Sequence, residues 1–155
     1  MLLPSLHLLL ADDDIDDCSF FTEALEELPL ETSLKTVYDG EQMMEYLDQN
    51  QDRLPHAIYL DLNMPRKNGN ECLAEIKRHE KYRNICVIIY STSYNPEIAG
   101  HLRQQGASYY IRKPADFSEL RDIIRKSLTL VSAHTAGAAA DESFLITSDN
   151  QEYSI

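Results

Sequence analysis

Four short stretches of this sequence end in residues that could do chemistry together. Asp12 and Asp13 follow one apolar run, Asp61 follows a second, Ser91 closes a third, and Lys113 follows a fourth. Brought to one place, clustered carboxylates repel each other unless a cation neutralises them, and otherwise they take up protons. Hard oxygen donors at a half-open site suit Mg²⁺, which keeps several waters and shares phosphate oxygens. A metal beside a carboxylate also lets that carboxylate attack phosphorus, because the metal draws off charge as the phosphoryl group moves. An ammonium and a hydroxyl can then hold two further phosphoryl oxygens, and positioning with charge neutralisation is most of what phosphoryl transfer needs.

Whether these residues meet depends on the elements between them. Leu6–Ala11, Ala57–Leu60 and Cys86–Tyr90 are short and almost wholly apolar, and Ser33–Val37 and Ser108–Ile111 are weaker versions. Such runs predict strands buried on both faces, as in a parallel sheet. Between them the apolar residues recur at helical spacing: Cys18, Phe21, Leu25, Leu28; Met43, Leu47; Leu73, Ile76; Ile98, Leu102; Phe117, Leu120, Ile124, Leu128. Pro29, Gly40, Pro55, Asn68-Gly69, Pro96 and Gly106 mark the joints. The strict alternation predicts an α/β sandwich with five strands and five helices. Its sheet order is the flavodoxin-like 2-1-3-4-5. In that order ligands bind where the strand order reverses, outside the carboxyl ends of strands 1 and 3. Asp12, Asp13, Asp61, Ser91 and Lys113 all fall on that edge. Tyr38-Asp39, after strand 2, lies away from its centre.

Taken singly, each residue has a plainer explanation. An Asp after a strand often caps the next helix, and Asp14 or Asp16 fits that part for the helix beginning near Ile15. A lone Lys is usually a solvated charge. It is the convergence that carries the functional reading. Asp12, Asp14, Asp16 and Glu23 also match positions of a calcium-binding helix–loop–helix, but Asp17 stands where that loop needs Gly and a strand precedes it, so this reading is dropped. His7, His56, His79, His101 and His134 show no ligand spacing; four of the five fall at expected strand edges or helix surfaces, so exposed side chains are expected. There is no glycine-rich phosphate loop and no nucleophile elbow.

Composition sets the outer limits. The chain has 155 residues, 43% of them hydrophobic and 26% charged, which suits one globular domain. A net charge of −12 argues against nucleic acid and against an anionic membrane. No apolar run approaches the roughly 20 residues of a membrane helix. The leucine-rich start lacks a basic region and a cleavage site before Asp12, so export is rejected and a cytoplasmic location expected. Cys18, Cys72 and Cys86 are far apart and read as buried small hydrophobes. The regular pattern ends near Val131. Residues 1–131 are expected to be the globular domain and 132–155 a flexible acidic tail, in which Phe144-Leu145-Ile146 alone could dock on a surface.

The chain resembles the receiver domain of two-component response regulators over about Leu6–Val131. The resemblance rests on Leu9-Leu10-Ala11-Asp12-Asp13-Asp14, on Leu60-Asp61-Leu62-Asn63-Met64-Pro65-Arg66-Lys67-Asn68-Gly69, on Ile89-Tyr90-Ser91, and on Gly106 through Lys113-Pro114 with Tyr110 between them. It implies that Asp61 accepts a phosphoryl group from the phosphohistidine of a histidine kinase or phosphotransfer protein. Asp13 and Asp61 would bind Mg²⁺ by side chain, Asn63 by its backbone carbonyl, and Asp12 through a metal-bound water. Ser91 and Lys113 would hold the aspartyl phosphate. Tyr110 would be the aromatic switch residue, and the Lys113–Pro114 bond would be cis. Asp61-Leu62-Asn63-Met64-Pro65-Arg66, Tyr90-Ser91-Thr92-Ser93 and Ile76–Ile85 resemble the single-domain receivers paired with bacterial phytochromes.

Two positions depart from the family pattern. Ala115 replaces an aromatic, and Thr92 stands where a small residue is common. Asn63 and Ser93 occupy the positions that tune dephosphorylation in the family. With no room for an output domain in the tail, the resemblance implies a stand-alone switch acting on an unknown downstream protein, or a phosphate shuttle. It is not an enzyme beyond its own phosphorylation and dephosphorylation. The face of helix 4, strand 5 and helix 5 can support a homodimer. Two rival readings stand beside it. One is an aspartate-based phosphatase, whose general acid would be missing at Asn63. The other is a phosphorylation-independent interaction module, flavin-binding or not.

Overall fold

In the computed structural model, residues 5–137 and 143–148 are described. The elements run β1 (Leu6–Ala11), α1 (Ile15–Glu26), β2 (Thr32–Val37), α2 (Gly40–Gln49), β3 (Ala57–Leu60), α3 (Gly69–Arg78), β4 (Cys86–Ser91), α4 (Pro96–Gln104), β5 (Tyr109–Arg112) and α5 (Phe117–Thr135). The sheet order is β2-β1-β3-β4-β5, with every pair of strands parallel. This is the flavodoxin-like arrangement that the alternation predicts, with each strand within one residue of its expected bounds.

The sheet divides the core. On one side Leu8, Leu10, Tyr59, Ile88, Tyr90 and Ile111 pack against α1 and α5 through Phe21, Leu25, Leu120, Ile124 and Leu128. Phe21 meets Tyr59 and Tyr90 edge-on, at ring separations of 4.8 and 5.6 Å. On the other side Leu9, Ile58, Leu60, Val87, Ile89 and Tyr110 face α2, α3 and α4. Alternation along the strands sends neighbouring residues to opposite faces, and helices cover both. Cys18, Cys72 and Cys86 are free thiols inside these cores. On α4 the buried residues are Ala99 and Leu102, while Ile98 is half exposed at 51%. Leu102 is buried as expected, and Ala99 takes the place expected for Ile98.

Side chains and one glycine fix the helix starts at the site edge. The Asp14 side chain accepts from the N–H groups of Asp16 and Asp17, Asp39 caps α2, and Asn68 and Glu71 form a reciprocal capping box on α3. At Gly69 a Cβ would lie 2.4 Å from the Asp61 carbonyl oxygen, so α3 can start this close to the end of β3 only on a residue without a side chain.

Three local expectations are corrected. There is no cis peptide bond among the described residues, so Lys113–Pro114 is trans, the ordinary form of an X–Pro bond. His101 is exposed as expected, but His7, His56 and His79 are partly buried and have partners. His7 bridges Ser33 Oγ at 3.0 Å and Tyr46 Oη at 2.8 Å, His56 Nδ1 accepts from the His7 backbone, and His79 stacks on Tyr82. Burial lowers the His7 pKa. The stretch after Val131 is also not uniformly flexible. Helix α5 continues to Thr135, and the segment 143–148 lies along β5, with Phe144 and Ile146 buried. An aromatic and an aliphatic side chain two residues apart find apolar cover there that a sequence pattern of helices and strands does not reveal. Residues 138–142 and 149–155 of the expected tail lie outside the described residues.

Candidate functional site

The backbone ladder of the sheet runs one step past the strand ends and carries the candidate residues with it. The Asp12 N–H donates to Val37 O at 3.0 Å, the Asp61 N–H to Ala11 O at 2.9 Å, and the Lys113 N–H to Ser91 O at 2.7 Å. Three of the chemistry-bearing residues are thus pinned to neighbouring strands by their own backbones, whatever their side chains do. This is why residues 101 positions apart in sequence can meet with little freedom.

Asp12 is fully buried, Asp61 is 6% exposed, and Asp13 is exposed. One carboxylate oxygen from each can be chosen so that all lie within 4.8 Å of one another. The Lys113 ammonium sits against this group, 2.7 Å from Asp12 Oδ2, 2.8 Å from Asp17 Oδ2 and 3.5 Å from Asp61 Oδ2. It also lies 5.0 Å from the centre of the Tyr90 ring. Asp12 Oδ1 accepts the Asp14 N–H at 3.0 Å, and Asp61 Oδ1 accepts the Asn63 N–H at 3.2 Å.

The electrostatics follow from burial and from this pairing. Removal from water raises the Asp12 carboxyl to about 6, although the hydrogen bond from Lys113 pulls the other way. Burial alone would lower the Lys113 ammonium, but its bonds to Asp12 and Asp17 and the charge of Asp61 outweigh that and hold it above the ordinary lysine value. Lys113 therefore stays a cation. One ammonium cannot neutralise four carboxylates, so the edge keeps an excess of negative charge and hard oxygen donors. That donor set fits a divalent cation such as Mg²⁺ or Mn²⁺.

Ser91 is buried; its Oγ accepts from the Ser93 N–H at 3.4 Å, lies 3.5 Å from Ser93 Oγ, and interacts with the Tyr110 hydroxyl. Tyr110 is 1% exposed, and its hydroxyl donates to the Ser93 carbonyl. Its ring meets Tyr94 edge-on at 5.2 Å. Asp12, Asp13, Asp61 and Lys113 are brought together as the sheet order requires. Ser91 lies beside them on β4, and Tyr110 faces the loop after it. Asn63, exposed, sits two residues beyond Asp61 with its N–H turned to that carboxylate.

Sequence reasoning missed Asp17 and Tyr90. Asp17 was considered only as the residue that spoils a calcium loop, yet it lies in the first turn of α1 at the same edge and takes part of the Lys113 charge. Its signal is its place: a carboxylate six residues past the end of β1, in the first turn of α1, stands above the switch point.

A family model of the response regulator receiver domain matches residues 8–125. The chain belongs to the response regulator receiver family. Among relatives of this receiver, the response regulator Rcp1 of Synechocystis is 30% identical over 127 residues, covering 79% of this chain and 86% of Rcp1. A probable methanogenesis regulatory protein, FilR2, of Methanothrix harundinacea is 27% identical, covering 77% of this chain and 79% of its own. Among solved structures, the phosphorylated cyanobacterial phytochrome response regulator RcpA superimposes with a TM-score of 0.75 at 31% identity, covering 88% of this chain and 98% of RcpA. The Mn²⁺-bound form of Rcp1 gives 0.70 at 28% identity, over 78% and 90% of the two chains. The receiver is therefore a module of two-component signalling. Among its described residues, no helix is long and apolar enough to cross a membrane.

Proposed function

We propose that this receiver is a phosphorylation switch whose acceptor is Asp61. The observation that carries the reading is the meeting of Asp12, Asp13 and Asp61 with the Lys113 ammonium at the one edge of the sheet where strand order reverses. A phosphohistidine of a histidine kinase or phosphotransfer protein is the donor. The bond from phosphorus to the ring nitrogen breaks as the bond from an Asp61 oxygen to phosphorus forms, and the nitrogen keeps the electron pair. Asp13 and Asp61 would hold Mg²⁺ by their side chains and Asn63 by its carbonyl, with Asp12 acting through a metal-bound water. When bound, the cation neutralises charge gathering on the phosphoryl oxygens. Lys113 pairs with one of those oxygens, and the Ser91 hydroxyl donates to another.

The new dianion draws Ser91 and Lys113 toward it. Ser93 is bonded to both Ser91 and Tyr110, so a shift of the loop after β4 changes what Tyr110 can bond. The face made by α4, β5 and α5 then changes its affinity for a downstream protein or for a second copy. The protein acts in the cytoplasm and catalyses only its own phosphorylation and dephosphorylation.

The test is the intact-protein mass after incubation with acetyl phosphate and Mg²⁺. Wild type is expected to gain one phosphoryl group. Asp61→Asn, or wild type with the metal chelated, is expected to gain none. A wild type that gains nothing would turn the reading into a phosphorylation-independent interaction module on the same fold.

A further inference from the structure

The open edge of β5 is occupied. The Tyr110 N–H donates to Phe144 O at 3.0 Å, and the Ile146 N–H donates to Tyr110 O at 2.9 Å, so Leu145 forms an isolated parallel bridge with Tyr110 at the edge of the sheet. Side chains anchor it from every element of that face. From α4, the Arg103 guanidinium lies 5.5 Å from the centre of the Phe144 ring. From β5, Tyr110 meets the same ring at 6.3 Å. From α5, Lys126 Nζ donates to Thr147 O at 2.8 Å, and Glu119 accepts from Ser148 Oγ at 3.2 Å. Phe144 joins the core on the α4 side and Ile146 the core on the α5 side.

We propose that the β5 edge is a strand-addition site, and that segment 143–148 is its built-in ligand, which any partner docking on the α4–β5–α5 face must displace. The backbone bonds to Tyr110 are indifferent to sequence, and the buried Phe144 and Ile146 supply selectivity, the division of labour found wherever an extended peptide extends a sheet. The displacing partner is accordingly an extended segment with an aromatic residue followed two positions later by an aliphatic one. A ligand tethered to its own site acts at an effective concentration near the millimolar range, so a free segment of equal quality competes poorly until the tether lets go.

The test uses the full chain as wild type, Ile146→Pro, which removes the N–H that reaches Tyr110 O, and Phe144→Ala, which keeps the backbone and removes the anchor. Hydrogen exchange reads the Tyr110 amide. Fluorescence anisotropy reads a labelled peptide spanning residues 142–149, and light scattering reads the mass. The Tyr110 amide is expected to be protected in wild type and to exchange at least about tenfold faster in both variants. The peptide is expected to bind both variants at least about tenfold more tightly than wild type. Equal Tyr110 exchange in all three proteins would overturn the pairing, and failure of the peptide to bind either variant would overturn the site. A dimeric wild type whose Tyr110 protection falls on dilution would assign the strand to a second copy and overturn the built-in ligand. No phosphodonor or metal enters, so the outcome is independent of Asp61.

Discussion

Lys113 holds Asp12 more closely than it holds Asp61: its ammonium is 2.7 Å from an oxygen of the first and 3.5 Å from the nearest oxygen of the second. The cation thus spends its strongest bond on the buried neighbour of the proposed acceptor and leaves the acceptor less tightly engaged. Lys113→Met would strand Asp12 and Asp61 among themselves. Removing one partner of a buried pair costs roughly 3–5 kcal/mol, with partial relief here if Asp12 takes up a proton. Urea unfolding without metal is expected to show that loss. Mg²⁺ should then stabilise the variant more than wild type, since the metal supplies charge that the lysine no longer does. Equal stabilisation of both proteins by Mg²⁺ would show that Lys113 and the metal do not share the same carboxylates.

Gly69 rests against the backbone of Asp61, with room for no more than a hydrogen. Gly69→Ala would place a methyl group 2.4 Å from the Asp61 carbonyl oxygen and 2.8 Å from Leu62 Cα, both main-chain atoms. The clash cannot be relieved by a rotamer. The expected cost is about 1–3 kcal/mol. It should come with slower phosphorylation by acetyl phosphate, because β3 must shift to make room. Gly100, where a Cβ meets nothing within 4 Å, is the control: Gly100→Ala sits mid-helix and should stabilise.

Across the other face, Tyr59 and Ser127 share a hydrogen bond of 2.6 Å in the core, both fully buried. The Ser127 hydroxyl also donates to Ile124 O at 2.7 Å, so its single proton is used there and Tyr59 is the donor between them. Ser127→Ala leaves a buried phenol without a partner and should cost about 1–3 kcal/mol, whereas Tyr59→Phe should cost about 1 kcal/mol. The double variant is expected to be no less stable than Ser127→Ala alone, which thermal unfolding of the four proteins would show.

The thiols give a dependence on pH. Burial raises Cys18 and Cys72 to about 12 each, and raises Cys86 as well. Between the ordinary value near 9 and 12, the native state keeps protons that the unfolded chain has released. Stability is therefore full below pH 9 and falls as pH rises above it, by up to about 1.4 kcal/mol per pH unit for each thiol. The buried phenols Tyr59 and Tyr90, also raised, steepen the fall above pH 10. At pH 8 the thiolate is too scarce for alkylation, so iodoacetamide should label the cysteines only in denaturant. Rapid labelling of the native protein would contradict the burial.

Much of this was legible because a parallel sheet leaves a strong trace. Strands buried on both faces, such as Ala57–Leu60 and Cys86–Tyr90, are almost wholly apolar, so charged residues begin where the strands stop, and Asp12, Asp61 and Lys113 stand out. The edge strand β2 was harder to bound, since Thr32, Ser33 and Lys35 mix with its apolar residues. Asp17 is easily passed over because a carboxylate in the first turn of a helix is ordinary; its nearness to the end of β1 places it at the site edge, and the fold adds its bond to Lys113. That Phe144-Leu145-Ile146 could dock was legible in segment 143–148, but where it docks was not. Its pairing depends on an edge that exists only after five strands have assembled, and Phe144-Leu145-Ile146 has no periodicity of its own.

The two rims of the sheet are guarded in unlike ways. β2 presents Ser33 and Lys35 to solvent, and a charged, polar rim discourages a foreign strand from adding to it. β5 offers Tyr109-Tyr110-Ile111, short and apolar, with one exposed charge at its end, Arg112, and segment 143–148 lies over it. Cutting the chain before Phe144 would uncover a ready template for pairing between molecules. The practical cost would appear in the tube as well as in signalling: a truncated preparation should turn cloudy on concentration while the full-length chain stays clear.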